Sequence, residues 1–354
     1  MINNYNPIIN KEQPMLAVGR ASVGIYSILK TQCHPSDAVL VPANICYAAI
    51  YPILYANLHP VFCDVDLLTG NITWNDFIDC YTPDIKVVII PHMYGNPVYD
   101  LLRIAEFCKL NHILLIEDCA SAMGAQSEHY ELGSVGDYCI YSTGYSKTLD
   151  LGSGGFVCCD NRASLAEIEA FEKTLPAHDP KSDDNQMLFS KIYRLLRNEG
   201  HGTPIERMIY RELPVCCIND FVFRIDQSHG QWLYNQLGGL NEVIFQRRQK
   251  AHIYDHALAD LQSIHYPYEV GAVPWRYNIL VRNKNARKLI ITHCLEAHLP
   301  VSDWYPNVTP MFGVDKRPKA AIHEQWILNF PLLISDEQIQ KICAIIRNDL
   351  TVSA

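Results

Sequence analysis

Short apolar runs alternate with longer amphipathic stretches along the first two-thirds of this chain. Ala38–Pro42 (AVLVP), Pro60–Val65, Lys86–Pro91, His112–Glu117, Tyr138–Ser142 and Phe156–Cys159 are four to six residues long and rich in β-branched or aromatic side chains. Each reads as a buried strand. Between them, Cys46–Tyr55 and a stretch from about Val98 to Leu110 carry apolar residues at helical spacing. Uniformly apolar strands separated by helices imply a mostly parallel sheet covered by helices on both faces. Leu233–Leu261 reads as one long helix and its flank. The pattern then becomes strand (Trp275–Val281), helix (Ala286–His298), a proline-broken loop and a final helix from Asp336. This predicts a large α/β domain over residues 1–235 and a smaller α+β domain over 236–354. The segment from about Thr174 to Arg211 interrupts the alternation. Its polar, turn-rich PAHDPKSDDNQ predicts a loop or lid.

Composition narrows the function classes. The 354 residues are 49% hydrophobic and 19% charged, as in an ordinary soluble globular protein. A formal charge of -9 argues against a nucleic-acid partner, which would need a basic face. The longest apolar runs, such as Val87–Pro91, are too short to span a bilayer. The opening MINNYNPIINKEQP has no apolar core of the signal-peptide kind, so a cytoplasmic location is expected. The 13 cysteines follow neither a disulfide framework nor a CxxC knuckle, and read as reduced, mostly buried thiols.

Three clusters could carry chemistry. In LLIEDCASAMGA (114–125) a buried strand ends at Asp118. Ligands of open α/β sheets bind just beyond such strand ends. A carboxylate there can pair with a protonated pyridine nitrogen. Taken alone, Asp118 as the cap of a following helix is the commoner arrangement. In CIYSTGYSKTLDLGSGGFVCC (139–159) a strand ends at Ser142, Lys147 follows five residues later, and a glycine-rich GSGG leads into the next strand. Such a lysine can form an imine with an aldehyde cofactor and then carry a proton. Ser142 can hydrogen-bond a phosphate, and the glycines let backbone approach a bulky ligand. A lone lysine, however, is usually an exposed turn residue. In VGRASVGIYSILK (18–30) Gly19, Ala21 and Ser22 open a helix. Its N-terminus suits a phosphate, or Ser22 is simply a cap. His252 and His256 have metal-compatible spacing but no acidic third ligand, so no metal is expected. The run Arg247-Arg248-Gln249-Lys250 reads as a solvated helix face.

The order and spacing of these clusters point further. VPANICYAAIYPILYANLHPVFCDVD, IIPHMYGNP, LLIEDCASAMGA and YSTGYSKTLDLGSGG closely resemble the DegT/StrS family of sugar aminotransferases, which depend on pyridoxal 5'-phosphate (PLP). FQRRQKAHIY, WYPNVTP and NFPLLISDEQIQKI extend the resemblance through the C-terminal half. It implies the fold-type I architecture, with a mostly parallel seven-stranded sheet and a smaller α+β C-terminal domain. It implies that Lys147 is the Schiff-base lysine and Asp118 the partner of the pyridine nitrogen. Ser142, Ala21 and Ser22 would hold the phosphate. Tyr47 would stack on the ring, and Ser121 would stand on its 3-hydroxyl side, where the family has Gln or His. His92 of PHMYG would pack near the site. Val222 stands where the family has an Asn that reaches the partner subunit's phosphate. Arg224 is retained and Asn219 lies nearby, while Trp304 replaces a His before Tyr305.

The resemblance further implies amino transfer from a donor, usually L-glutamate, to a keto-sugar that is typically nucleotide-linked. It implies a homodimer with shared active sites. A PLP-dependent sugar dehydratase of the same family would carry His in place of Lys147. A non-catalytic binding protein that keeps the fold is the remaining alternative. An NAD-dependent enzyme is disfavoured because GxGxxG is missing.

Overall fold

The computed structural model describes residues 13–199 and 203–352. Most of the N-terminal stretch read above for a leader lies outside the described residues. The chain runs β1 (Met15–Val18), α1 (Ala21–Gln32), β2 (Ala38–Pro42), α2 (Tyr47–Tyr55), β3 (His59–Cys63), α3 (Trp74–Cys80), β4 (Ile85–Pro91), α4 (Leu101–Leu110), β5 (Leu114–Asp118), β6 (Tyr138–Ser142) and β7 (Gly155–Cys158). It continues with α5 (Arg162–Glu172), α6 (Lys181–Glu199), α7 (Pro204–Cys216), α8 (Ile218–Phe221), α9 (Gln227–Gln236), α10 (Leu240–Ala257), β8 (Tyr277–Leu280), α11 (Lys284–Glu296), α12 (Pro318–Trp326), β9 (Ile327–Phe330) and α13 (Asp336–Val352).

The first seven strands form one sheet in the order β1-β7-β6-β5-β4-β2-β3. Only β7 runs against its neighbours, so the sheet is mostly parallel. Successive residues feed opposite faces, as strand geometry requires. Val39, Val41, Val87, Ile89, Ile140 and Val157 pack with α1, α2 and α5. Leu40, Val88, Ile90 and Leu115 pack with α3 and α4. At the β6–β7 end, Tyr141, Phe156 and Cys158 of that second face meet α9 and the start of α10. Both faces are therefore covered, which is why the strands read as unbroken apolar runs.

A second core lies around the antiparallel pair β8–β9. Ile279, Leu328 and Phe330 pack there with Ile290 of α11 and Ile339, Ile342 and Ile346 of α13. The expected division at 235/236 falls in the last turn of α9, just before α10. Helix α10 itself straddles the two cores: Leu240 and Ile244 join the large-sheet cluster, Ala251 and Tyr254 the smaller one. No helix among the described residues is long and apolar enough to cross a membrane. All thirteen cysteines are free, and only Cys216 is exposed.

Three expectations need correction, and one strand is new. The long helix at Leu233–Leu261 breaks at a short turn, Leu237–Gly239. Gly238 and Gly239 bring no side chain to hold a helix there. The expected loop at Thr174–Arg211 is a loop only to Pro180, after which α6 and α7 form. Phe189, Tyr193 and Tyr210 bury against α2, and this burial outweighs the polar composition of the outer faces. The proline-broken loop before Asp336 contains α12 and β9; Pro318 opens α12 in the first turn rather than breaking it. Strand β1, too short to show a period, gains its place by pairing with β7.

Glu172, the last residue of α5, ties this frame together close to α1. It is buried, and its carboxylate accepts from the N–H of Ile225 at 3.2 Å, with the backbone of Gly19 close by. Burial pushes its pKa up to about 7. A carboxyl raised in the folded state stabilises fully below its unfolded pKa, and that contribution is lost as pH rises through 7. Glu172→Gln keeps the acceptor and removes the charge. It should stabilise the fold by about 2 kcal/mol at pH 8 and by nothing measurable at pH 4.5. Urea denaturation of both proteins at the two pH values checks this; equal gains at both would refute it.

Candidate active site

The carboxyl ends of β4, β5 and β6 open into a cavity of about 720 Å³. Helix α1 points its N-terminus at the same space. Its N-cap is Arg20 and no side chain caps it, so the positive end of the helix stays available. Ala21, Ser22, Tyr47, Asp118, Ser121, Ser142 and Lys147 all line this cavity. Residues from four separate segments, spread over more than 120 positions in sequence, are thus brought together by the sheet.

Asp118 ends β5 and is buried. Its Oδ1 accepts from the N–H of Ala120 at 2.9 Å, and no regular helix follows it, so it is not a helix cap. Burial pushes the carboxyl up, opposed by Lys147, the Ala120 N–H and His92. The neighbouring Glu117 points the other way. Its Oε1 accepts from Val135 and Gly136 at 2.7 and 2.6 Å, and its Oε2 from Gly133 at 2.9 Å. His92 adds a contact to Oε2 at 3.2 Å, and its Nδ1 accepts from Val98 N–H. This leaves the His92 proton on Nε2. His92, Glu117 and Cys119 form the one group among the described residues with metal-like spacing. Both carboxylate oxygens are already taken by backbone donors, so the cluster is a structural brace beneath the cavity. His252 and His256 are exposed.

Lys147 sits on the loop after β6. Its Nζ donates to Oγ of Ser121 at 3.1 Å. Burial works against its ammonium form, but Tyr305, Cys46 and Asp118 outweigh that and raise its pKa. The backbone beside it is gripped from the second core. Arg247 of α10 donates from Nη2 to Lys147 O at 2.7 Å, from Nε to Thr148 O at 3.2 Å and from Nη1 to Trp275 O at 2.8 Å. The Trp275 indole donates to Ser146 O, and Arg276 reaches Ser146 Oγ at 2.9 Å. Arg247 is buried, and burial lowers its pKa to about 10. The expected solvated face at Arg247-Arg248-Gln249-Lys250 is corrected here: Arg247 continues the buried stripe Leu240, Ile244, Ala251 and Tyr254, and Arg248 donates to Gly271 O at 3.0 Å. That helical spacing was the available signal.

Ser142, at the end of β6, accepts from Gly144 N–H at 3.3 Å. Gly154 and Gly155 of GSGG serve the protein's own packing. A Cβ on Gly155 would lie 2.6 Å from Tyr141 O and 2.9 Å from Ala21 N. Strand β7 can therefore run directly against the start of α1. Tyr47 turns its ring onto Tyr193 of α6, with centroids 4.3 Å apart. Cys46 is the member of that stretch coupled to Lys147. Val222 is buried with Val23 and Leu175, Arg224 lines the cavity, and Asn219 is exposed and does not. Trp304 stacks on Tyr193 at 6.1 Å and 11°. Helix α6 supplies part of the cavity wall through Asp183, Gln186 and Arg194, which the loop reading had missed.

The sequence model of the DegT/DnrJ/EryC1/StrS aminotransferase family matches residues 11–347. The chain belongs to this family. It is therefore a transaminase by descent. A GDP-perosamine synthase of Escherichia coli O157:H7 is 26% identical over 344 residues, covering 94% of this chain and 85% of that protein. A dTDP-4-dehydro-2,3,6-trideoxy-D-glucose 4-aminotransferase of Saccharopolyspora spinosa is 36% identical over 297 residues, covering 81% and 70%. Among solved structures, an aminotransferase from Psychrobacter cryohalolentis superposes with a TM-score of 0.75 at 19% identity, covering 96% of this chain and 87% of the other. Helicobacter pylori PseC superposes with a TM-score of 0.74 at 15% identity over the same shares. The fold is that of the fold-type I aminotransferases, with the seven-stranded sheet the sequence implied.

Replacing Arg247 by Met should cost roughly 3 kcal/mol, because three carbonyls lose their donor and two of them belong to the loop of Lys147. Arg247→Lys should fall between, since a point-like ammonium cannot serve three divergent acceptors. Denaturation midpoints of the three proteins measure this. A Met variant as stable as the wild type would rule the clamp out.

Proposed function

We propose that this transaminase binds PLP in the cavity through Lys147 and Asp118, and moves an amino group from an amino acid, in the first place L-glutamate, to a nucleotide-linked keto-sugar. One observation carries the reading: Nζ of Lys147 and the buried carboxylate of Asp118 meet in one cavity at the uncapped N-terminus of α1.

The donor set fits the cofactor group by group. Asp118 Oδ2 has no hydrogen-bond donor among the described residues, and its buried charge calls for a cationic partner such as a protonated ring nitrogen. Lys147 offers an amine to an aldehyde. The N-terminus of α1, with Ser22 and Ser142, offers donors to a phosphate. When bound, PLP supplies an electron sink next to the exchanging amine. Asp118 would hold the proton on the ring nitrogen. Nζ of Lys147 would hold the aldehyde carbon, then take up the donor's α proton and return it later in the cycle. Tyr47 would have to leave Tyr193 to cover the ring, so Cys46 contests that role.

Charge supports the acceptor class. Arg20, Arg194, Arg224 and Arg276 line the cavity with Lys147, against Asp118, Asp183 and Asp226. This excess of cations suits a diphosphate. The names of the relatives from Escherichia coli and Saccharopolyspora spinosa point to the same class of substrate. A homodimer with shared sites belongs to this proposal. The dehydratase alternative is not favoured, because Lys147 is present.

Purified protein supplied with PLP should turn yellow, and borohydride should fix the cofactor to a peptide containing Lys147. Lys147→Ala should lose that label and lower turnover by at least about a thousandfold. A wild-type protein that takes up no PLP ends this proposal. Glutamate should bleach the yellow band, and a panel of keto-sugar nucleotides should restore it.

A further inference from the structure

The clamp by Arg247 fixes the backbone of Lys147, but the chemistry proposed above occurs at Nζ. Nζ lies 3.1 Å from Ser121 Oγ, and that oxygen lies 3.5 Å from the hydroxyl of Tyr305. The Tyr305 hydroxyl also faces Nζ of Lys147. Two buried hydroxyls and one amine therefore form a small polar ring in which Ser121 stands between Lys147 and Tyr305. Tyr305 is itself held from several sides. Its N–H donates to the Tyr94 hydroxyl at 3.1 Å, and its ring stacks on Trp275 at 5.5 Å and 28°. The Tyr94 hydroxyl meets Nε2 of His323 at 3.2 Å, while Nδ1 of His323 lies 3.0 Å from Leu67 O. Burial pushes His323 down to about 4, so its ring is neutral near pH 7. Nδ1–H then donates to Leu67 O, Nε2 accepts from the Tyr94 hydroxyl, and the oxygen of that hydroxyl is left to accept from Tyr305 N–H. The direction of every bond in this string is thus set, and it ends at the backbone of Tyr305.

We propose that Ser121 and Tyr305 form a two-hydroxyl cradle that holds Nζ of Lys147 as an ammonium, and that Tyr305 thereby sets the basicity with which Lys147 takes up a proton. The proposal rests on the reading of Lys147 as the proton carrier. In the step concerned, the donor's Cα–H bond breaks and an N–H bond forms on the Nζ lone pair. The electrons of the broken bond stay with the carbon and its conjugated system. The new ammonium donates to Ser121 Oγ and Tyr305 Oη, and the proton later leaves from the same Nζ. Neither hydroxyl gains or loses a proton over the cycle.

Other charges also face this ring. Lys147 sees Asp118 from β5 and Cys46 from the start of α2; Tyr305 sees these groups, Lys147 and, across the cavity, Arg276. Among the described residues the Tyr305 hydroxyl has no hydrogen-bond partner besides Ser121, so Tyr305→Phe removes its side of the cradle and leaves the ring stacking in place.

The test uses full-length protein freed of PLP. Lysines are reductively methylated with formaldehyde and cyanoborohydride across about pH 6 to 11, and methylation at Lys147 is read by peptide mass spectrometry. In Tyr305→Phe the midpoint for Lys147 should fall by about one pH unit, with several-fold faster methylation near pH 8. The other lysines, compared within the same samples, should not move. Ser121→Ala should shift the midpoint the same way by less. In the PLP-loaded enzyme, Tyr305→Phe should lower kcat about tenfold with KM for the donor nearly unchanged. Unmoved midpoints in both variants overturn the cradle. Borohydride labelling separates the two claims. A PLP label on Lys147 with unmoved midpoints sinks the cradle alone; a label on another lysine sinks the reading of Lys147 and the cradle with it.

Discussion

Arg247 is a buried cation whose side-chain hydrogen bonds among the described residues all go to carbonyl oxygens, those of Lys147, Thr148 and Trp275, while the carboxylate of Asp150 acts on it through space. Everything distinctive about the site depends on that arrangement. A guanidinium can face three acceptors at once because its donors fan out in one plane. One acceptor belongs to the segment leading into β8 and two to the loop after β6, so α10 locks the smaller core to the reactive loop. The cost of burying the charge is met by three oriented dipoles that would otherwise be buried without a donor. The loop is held by its backbone, which leaves the side chain of Lys147 free to act.

A division of labour between adjacent residues follows from strand geometry. Glu117 and Asp118 are neighbours on β5, and alternation sends them to opposite sides. Glu117 spends both oxygens on backbone N–H groups and His92 and becomes a brace. Asp118 keeps one oxygen uncommitted in the cavity. The two carboxylates share a strand, yet one is saturated with donors and the other is left open to the cavity. Gly95 performs a similar service on the far wall. Its φ of 84° and missing Cβ let the 273–275 segment lie against it, where a Cβ would come within 1.8 Å of Val273 O. That approach delivers Trp275 to both the Ser146 carbonyl and the ring of Tyr305.

Much of the fold was legible because the buried strands are uniformly apolar and short, and the helices between them are periodic. Ala38–Pro42 and Tyr138–Ser142 were bounded correctly from the sequence. What misled was polarity read as exposure. PAHDPKSDDNQ continues into α6 because Phe189 and Tyr193 on its other face bury against α2. The basic run at Arg247 looked solvated because charge alone does not say whether carbonyls wait at the other end. Tyr47 suited the role of ring-stacking aromatic by position, yet α6 offers it a partner in Tyr193 that no local pattern could foretell.

The sequence by itself determined the family, the parallel sheet and the strand-end positions of Asp118, Ser142 and Lys147. These follow from local rules: apolar periodicity, punctuation by glycine and proline, and motif spacing. Only the tertiary structure decided which groups touch Lys147. Ser121 is 26 residues from it, Arg247 is 100 and Tyr305 is 158. Hydrogen bonds depend on distances of about 3 Å and on direction. Those are properties of how the sheet, α10 and the loop after α11 pack against one another, and no spacing along the chain encodes them.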